Sequence, residues 1–129
     1  MLNNQIKECI LGNQVNRIVD GDFDENEMIF NTKEEYGDMV ETVSNENYFN
    51  WQSIVDWYSY EWDCPDIKKS NADEFLTYGF TLWNLAFRKA YVIKKVFEEK
   101  FDVSGGEDYV ALTSAVRAVL ETYARSINA

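Results

Sequence analysis

The stretch that most constrains the fold runs from Asn71 to Phe101 and reads as one long helix, apolar around most of its circumference. At about 100° per residue its apolar side chains form one stripe with two flanks. The stripe holds Phe75, Gly79, Leu82, Ala86, Ala90, Ile93 and Phe97, one flank holds Tyr78, Leu85, Val92 and Val96, and the other holds Leu76, Phe80, Trp83 and Phe87. Such a helix needs neighbours on several sides, so we expect it to be central in a bundle.

Helical spacing of apolar residues recurs in the rest of the chain. We expect a first helix over residues 2–19, a second that begins at Thr32 with a capping box to Glu35, and a third over 46–62. A last helix is expected after the break at Ser104-Gly105-Gly106. Its apolar seam consists of Tyr109, Leu112, Val116, Val119, Tyr123 and Ile127. Residues 20–31 read as a loop, with a short hairpin through Asp20-Gly21 as an alternative. The prediction is an all-α fold: a single-domain bundle of four to five helices around a central long helix at about 71–101, with 1–129 as one domain.

The charge of the chain is concentrated in its middle. The net charge is -11, yet residues 20–74 alone carry sixteen acidic and three basic side chains. Glu34 and Asp38 are like charges four residues apart, an arrangement that weakens a helix, and Glu41 extends the row. A chain selected only for solubility would mix signs, so this clustering indicates a partner of opposite sign. An acidic surface that serves only solubility is the alternative.

Several functional classes find no support in the residues. Histidine is absent, which removes the usual general base and the commonest transition-metal ligand, and no phosphate-binding glycine loop is present. Asp20, Asp22 and Asp24 open a pattern like that of a calcium loop, but Glu25 and Asn31 stand where its glycine and closing glutamate belong. We therefore expect no enzymatic activity, no cofactor and no metal; a carboxylate pair or a metal-dependent enzyme is the weaker alternative.

The two cysteines and the hydropathy bear on location. Cys9 and Cys64 form no metal-binding spacing, so we expect both to be reduced and structural in a cytoplasmic protein. No long uncharged apolar run and no basic-then-apolar leader occurs, so neither a membrane span nor a secretory signal is expected. Direct binding of nucleic acid is disfavoured because the sequence offers no basic stripe.

A rigid array of carboxylates fits a basic groove built for nucleic-acid phosphates, and outward aromatic side chains would anchor it. In composition and charge layout the chain resembles small acidic helical phage proteins that mimic DNA and block restriction or CRISPR systems, although it shares no motif with them. We therefore predict a small interaction protein that inhibits a basic, nucleic-acid-handling partner. The predicted partner-binding residues are Asp20, Asp22, Asp24, Glu34, Asp38, Glu41, Asp56, Trp57, Tyr60 and Asp63. A structural or adaptor protein that forms a homodimer through the Tyr109–Ile127 seam is the alternative.

Overall fold

A computed structural model of the chain describes residues 2–21, 23, 29–41, 64, 67–68 and 70–128, and of residues 38, 40 and 41 only the backbone. The described residues form helices and no strand. The helices are α1 (Asn4–Asp20), α2 (Lys33–Glu41), α3 (Ala72–Lys100) and α4 (Gly106–Asn128). They pack together, which confirms the all-α helical bundle.

The long helix predicted at about 71–101 is α3. The helix predicted over 46–62 lies outside the described residues. The chain divides into two compact units, and the division falls within α1 and within α3. The first unit consists of Met1–Ile10 and Phe30–Thr81, and the second of Leu11–Ile29 and Leu82–Ala129. The assignment of residues 1–129 to one domain stays a prediction.

Helix α1 begins and ends at local sequence signals. Asn3 caps it, because its side-chain Oδ1 accepts a hydrogen bond from the Ile6 amide at 2.9 Å. At the other end Gly21 has φ +76°, the left-handed conformation that terminates many helices and favours glycine. The predicted hairpin alternative at this step is wrong: Asp20 is the last residue of α1, so Asp20-Gly21 forms a helix end.

A buried lysine from α3 completes the end of α1 within the second unit. Lys94 is only 9% exposed, and its Nζ donates a hydrogen bond of 3.0 Å to the Ile18 carbonyl oxygen. This carbonyl belongs to the last turn of α1, where the backbone acceptors have no partner inside the helix and the helix dipole is negative. Phe23 lies over the ammonium group, with 5.6 Å from Nζ to the ring centroid.

Helix α2 begins with the predicted pair of reciprocal capping bonds. The Glu35 amide donates to Thr32 Oγ1 at 3.2 Å, and Glu35 Oε2 accepts a hydrogen bond from the Asn31 amide at 3.1 Å. In the usual capping box the glutamate returns to the amide of the capping residue itself, so here it binds one residue further out. The prediction that Thr32 opens this helix is confirmed.

The first unit is built around a buried tyrosine of α2. Tyr36 makes edge-to-face contacts with Phe30 and Phe80, at centroid distances of 5.7 and 6.4 Å. Its phenol ring lies directly against α3 at Gly79, where an added Cβ atom would be 2.7 Å from the hydroxyl oxygen. The glycine therefore permits the close approach of α2 and α3.

The prediction that both cysteines are reduced is wrong. Cys9 on α1 and Cys64 form a disulfide within the first unit, and their Cα atoms are 5.9 Å apart, an ordinary distance for such a bond. Spacing in the sequence could not reveal it, because 55 positions separate the two residues. The cytoplasmic location stays a prediction, and the cysteines no longer support it.

The second unit contains an aromatic cluster formed by Phe23 and three residues of α3. The ring of Phe23 meets Phe87 edge to face at 4.9 Å and Tyr91 at 5.8 Å. Trp83 and Phe87, one helical turn apart, stack at 4.8 Å. One flank of α3 does not follow the expectation of contact on several sides, since Leu85, Val92 and Val96 are exposed.

Helix α4 contributes to the second unit through a row of residues four positions apart. The buried row is Leu112, Val116, Leu120 and Ala124. The predicted seam is correct at Leu112 and Val116, but Val119 and Tyr123 are half-exposed. A spacing of four is one of the ridges by which helices pack, so the buried face drifts around the helix away from a straight 3.6-residue stripe.

Two glycine substitutions within helices should have opposite effects on stability. A Cβ atom added at Gly12 meets nothing within 4 Å, so Gly12→Ala should raise the free energy of unfolding by about 0.5–1 kcal/mol. Gly79→Ala should lower it by about 1–3 kcal/mol, because the buried Tyr36 ring must move. Urea denaturation measures both, and a Gly79→Ala variant as stable as wild type, or more stable, would contradict the packing of Tyr36 on α3.

The disulfide should contribute substantially to stability. Closing a loop across 55 positions restricts the unfolded chain, so Cys9→Ser with Cys64→Ser should lower the free energy of unfolding by about 4 kcal/mol. Thiol titration of the denatured, unreduced protein should find no free thiol, and prior reduction should expose both. Two titratable thiols without reduction would show that the bond does not form.

Candidate partner-binding surface

The structure describes the ten predicted partner-binding residues to different extents. Asp20 and Glu34 are described in full and are exposed, whereas Asp38 and Glu41 are described only as backbone positions of α2. The other six lie outside the described residues: Asp22, Asp24, Asp56, Trp57, Tyr60 and Asp63. Glu34 belongs to the first unit and Asp20 to the second.

An ion pair joins the first turns of α2 and α3 within the first unit. Lys33 Nζ lies 2.7 Å from Asp73 Oδ1. Glu34 and Glu35 follow Lys33 in α2, and Glu74 follows Asp73 in α3, so four carboxylates lie in the first turns of the two helices that this ion pair joins. We call Glu34, Glu35, Asp73 and Glu74 the acidic cluster; all four are exposed.

Local helix electrostatics explains why acidic residues occupy these positions. The first turn of a helix presents unpaired amide groups and the positive end of its dipole, so a carboxylate there is stabilising by about 0.3–1 kcal/mol. Where two helix starts lie side by side, the acidic residues of both first turns add up, so negative charge is concentrated at that part of the surface. Lys33 offsets one charge of the acidic cluster through its bond to Asp73.

The partner-binding residues predicted from the sequence include Glu34 but not Asp73. Asp73 lies beside α2, where it binds Lys33, which is 40 residues away in the chain. No periodic pattern predicts this pairing, because periodicity reports the face of one helix and not the neighbour that this face meets.

Asp20 has a structural contact in addition to its exposed carboxylate. The Tyr109 hydroxyl of α4 donates a hydrogen bond of 3.0 Å to Asp20 Oδ1. A carboxylate in the last turn of a helix is unfavourable because it meets the negative end of the dipole, and this bond offsets part of that cost. The hydrogen bond with Asp20 is also the main cause of a raised pKa of Tyr109, with smaller contributions from desolvation and from the charge of Asp20.

The Tyr109 bond should make stability depend on alkaline pH. Because the pKa of Tyr109 is raised in the folded protein, the stabilisation is fully present below the unfolded-state pKa and is lost as pH rises through the folded-state pKa. Thermal unfolding should therefore show that wild type loses its advantage over Tyr109→Phe as pH rises above about 10. Tyr123→Phe on the same helix is the control and should keep the wild-type pH dependence; a Tyr109→Phe curve parallel to wild type would contradict the assignment.

The described side chains form no cluster of the kind that binds a metal. Among them no group of three or more His, Cys, Asp or Glu residues has the arrangement of a metal site. Of the three aspartates in the calcium-like pattern only Asp20 is described, and it accepts a hydrogen bond from Tyr109. The absence of enzymatic activity, of a cofactor and of a metal stays a prediction.

The apolar seam proposed for a homodimer is partly used inside the chain. Leu112 and Val116 are fully buried, so they are not available to a second copy. Tyr109, Tyr123 and Ile127 are half-exposed. A homodimer through this seam stays a prediction.

Comparison with known proteins adds no relative from which function can be transferred. The chain matches no protein-family model, and no curated protein and no solved structure is significantly similar to it. Within the described part of the chain, no helix has the length and apolarity needed to cross a membrane.

Proposed function

We propose that this chain is a small acidic interaction protein that binds a basic surface of a partner protein. The observation that carries the proposal is the acidic cluster, in which two helix starts are joined by the Lys33–Asp73 bond. The carboxylates stand on helices of fixed relative position, so their spacing is set before a partner arrives. A preorganised array binds at a lower entropic cost than charges on a flexible tail.

The class of partner follows from the charge pattern. Sixteen acidic side chains between residues 20 and 74 present a field that a basic groove attracts over a long range. Grooves of that kind are common on proteins that hold nucleic-acid phosphates. We therefore propose a nucleic-acid-handling partner, which this chain inhibits by occupying its groove in the manner of phage proteins that counter restriction or CRISPR systems.

The test is a charge reversal with a control of equal size. Glu34→Lys with Asp38→Lys removes two negative charges of α2 and adds two positive ones. Glu99→Lys with Glu107→Lys makes the same net change outside residues 20–74, and each pair includes one acidic residue from the first turn of a helix. Circular dichroism and thermal melting show whether all variants remain folded.

Each immobilised variant is exposed to a bacterial lysate, eluted with increasing salt and challenged with duplex DNA. We expect wild type and the Glu99/Glu107 control to retain a basic nucleic-acid-binding protein that salt and DNA release, and the Glu34/Asp38 variant to lose it. The proposal would be contradicted if all three proteins retained the partner equally, or if duplex DNA did not compete with them for it.

A further inference from the structure

An exposed apolar stripe runs along α3 in the second unit. Its members, Leu85, Val92 and Val96, are 45%, 59% and 43% exposed. At about 100° per residue their side chains fall within roughly 40° of one another, and they span roughly 16 Å of helix. Three such residues in line on one helix are a patch, unlike the single apolar residues found on any protein surface.

Basic side chains border this stripe. Arg88 lies on one side and Lys89 on the other, both are exposed, and neither takes part in an ion pair among the described residues. Lys95 adds a third positive charge, and its Nζ lies 3.9 Å from Glu98 Oε1. Between residues 82 and 100 the exposed charges are four basic side chains and two acidic ones, since the fifth basic residue, Lys94, is buried. This part of α3 is therefore weakly basic in a chain of net charge -11.

We propose that this stripe binds an amphipathic helix of a partner protein whose apolar face is bordered by aspartate and glutamate. The stripe extends over three helical turns, which matches the spacing of the apolar anchor residues on an amphipathic helix that binds another protein. Arg88 and Lys89 beside the stripe would attract acidic residues that border those anchors. The inference is independent of the proposed function, because it concerns a second surface, of opposite charge.

Two other occupants fit the observations less well. A second copy docked by two-fold symmetry on this stripe would place the same basic residues against each other. An anionic membrane would be repelled by the net charge of -11.

The test uses a synthetic fluorescent peptide of about 18 residues, with leucines at helical spacing and glutamates on their borders. A second peptide replaces every glutamate with lysine. In fluorescence anisotropy with the full chain we expect saturable binding of the glutamate peptide, weakened as the salt concentration rises, and no saturable binding of the lysine peptide.

Val92 and Val110 provide a matched pair of variants, since they are 59% and 62% exposed and only Val92 lies on the stripe. Val92→Glu should weaken peptide binding roughly fivefold or more, whereas Val110→Glu should leave it unchanged. Arg88→Glu with Lys89→Glu should weaken it roughly tenfold and remove most of its salt dependence. Thermal melting shows that each variant is folded.

Failure of the glutamate peptide to bind, equal binding of the lysine peptide, or equal loss in Val92→Glu and Val110→Glu would overturn the proposal. So would concentration-dependent dimerisation that Val92→Glu abolishes, which assigns the stripe to a second copy. Vesicles containing phosphatidylglycerol are the last probe, and binding to them in place of the peptide would also overturn it. None of these outcomes depends on the acidic cluster, so they leave the proposed function to its own test.

Discussion

Burial of the apolar surface of α3 is the interaction on which both units depend. In the first unit this helix supplies Phe75 and Leu76, and in the second it supplies Trp83 and Phe87, all of them almost completely buried. Large aromatic side chains contribute more buried apolar area than any others, and truncating one costs about 3–5 kcal/mol. The remaining described helices are placed by what they can pack against this surface.

Polar contacts then fix the ends of the helices. Lys94 completes the last turn of α1, Tyr109 holds the carboxylate of Asp20, and Lys33 joins the starts of α2 and α3. The bond from Lys94 is the most shielded of these, since its ammonium group is buried beneath an aromatic ring. The Lys33 contact is exposed, so it contributes little to stability and matters mainly for the geometry of the acidic cluster.

The two proposed surfaces differ in sign and in chemistry. The acidic cluster of the first unit offers carboxylates at helix starts and suits a long-range, salt-sensitive encounter with a basic protein. The stripe of the second unit combines exposed apolar side chains with Arg88 and Lys89, so it suits a short contact that excludes water.

The sequence by itself determined the class of fold, the long helix, the capped start at Thr32 and the acidic middle of the chain, because periodicity, capping and charge are local properties. Only the tertiary structure decided which apolar flank of α3 stays exposed, that Cys9 meets Cys64, and that Asp73 lies beside Lys33. The physical reason is that each of these depends on which distant segment covers a given helix face. A sequence pattern specifies which face of a helix is apolar, but it does not specify which segment of the chain packs against that face.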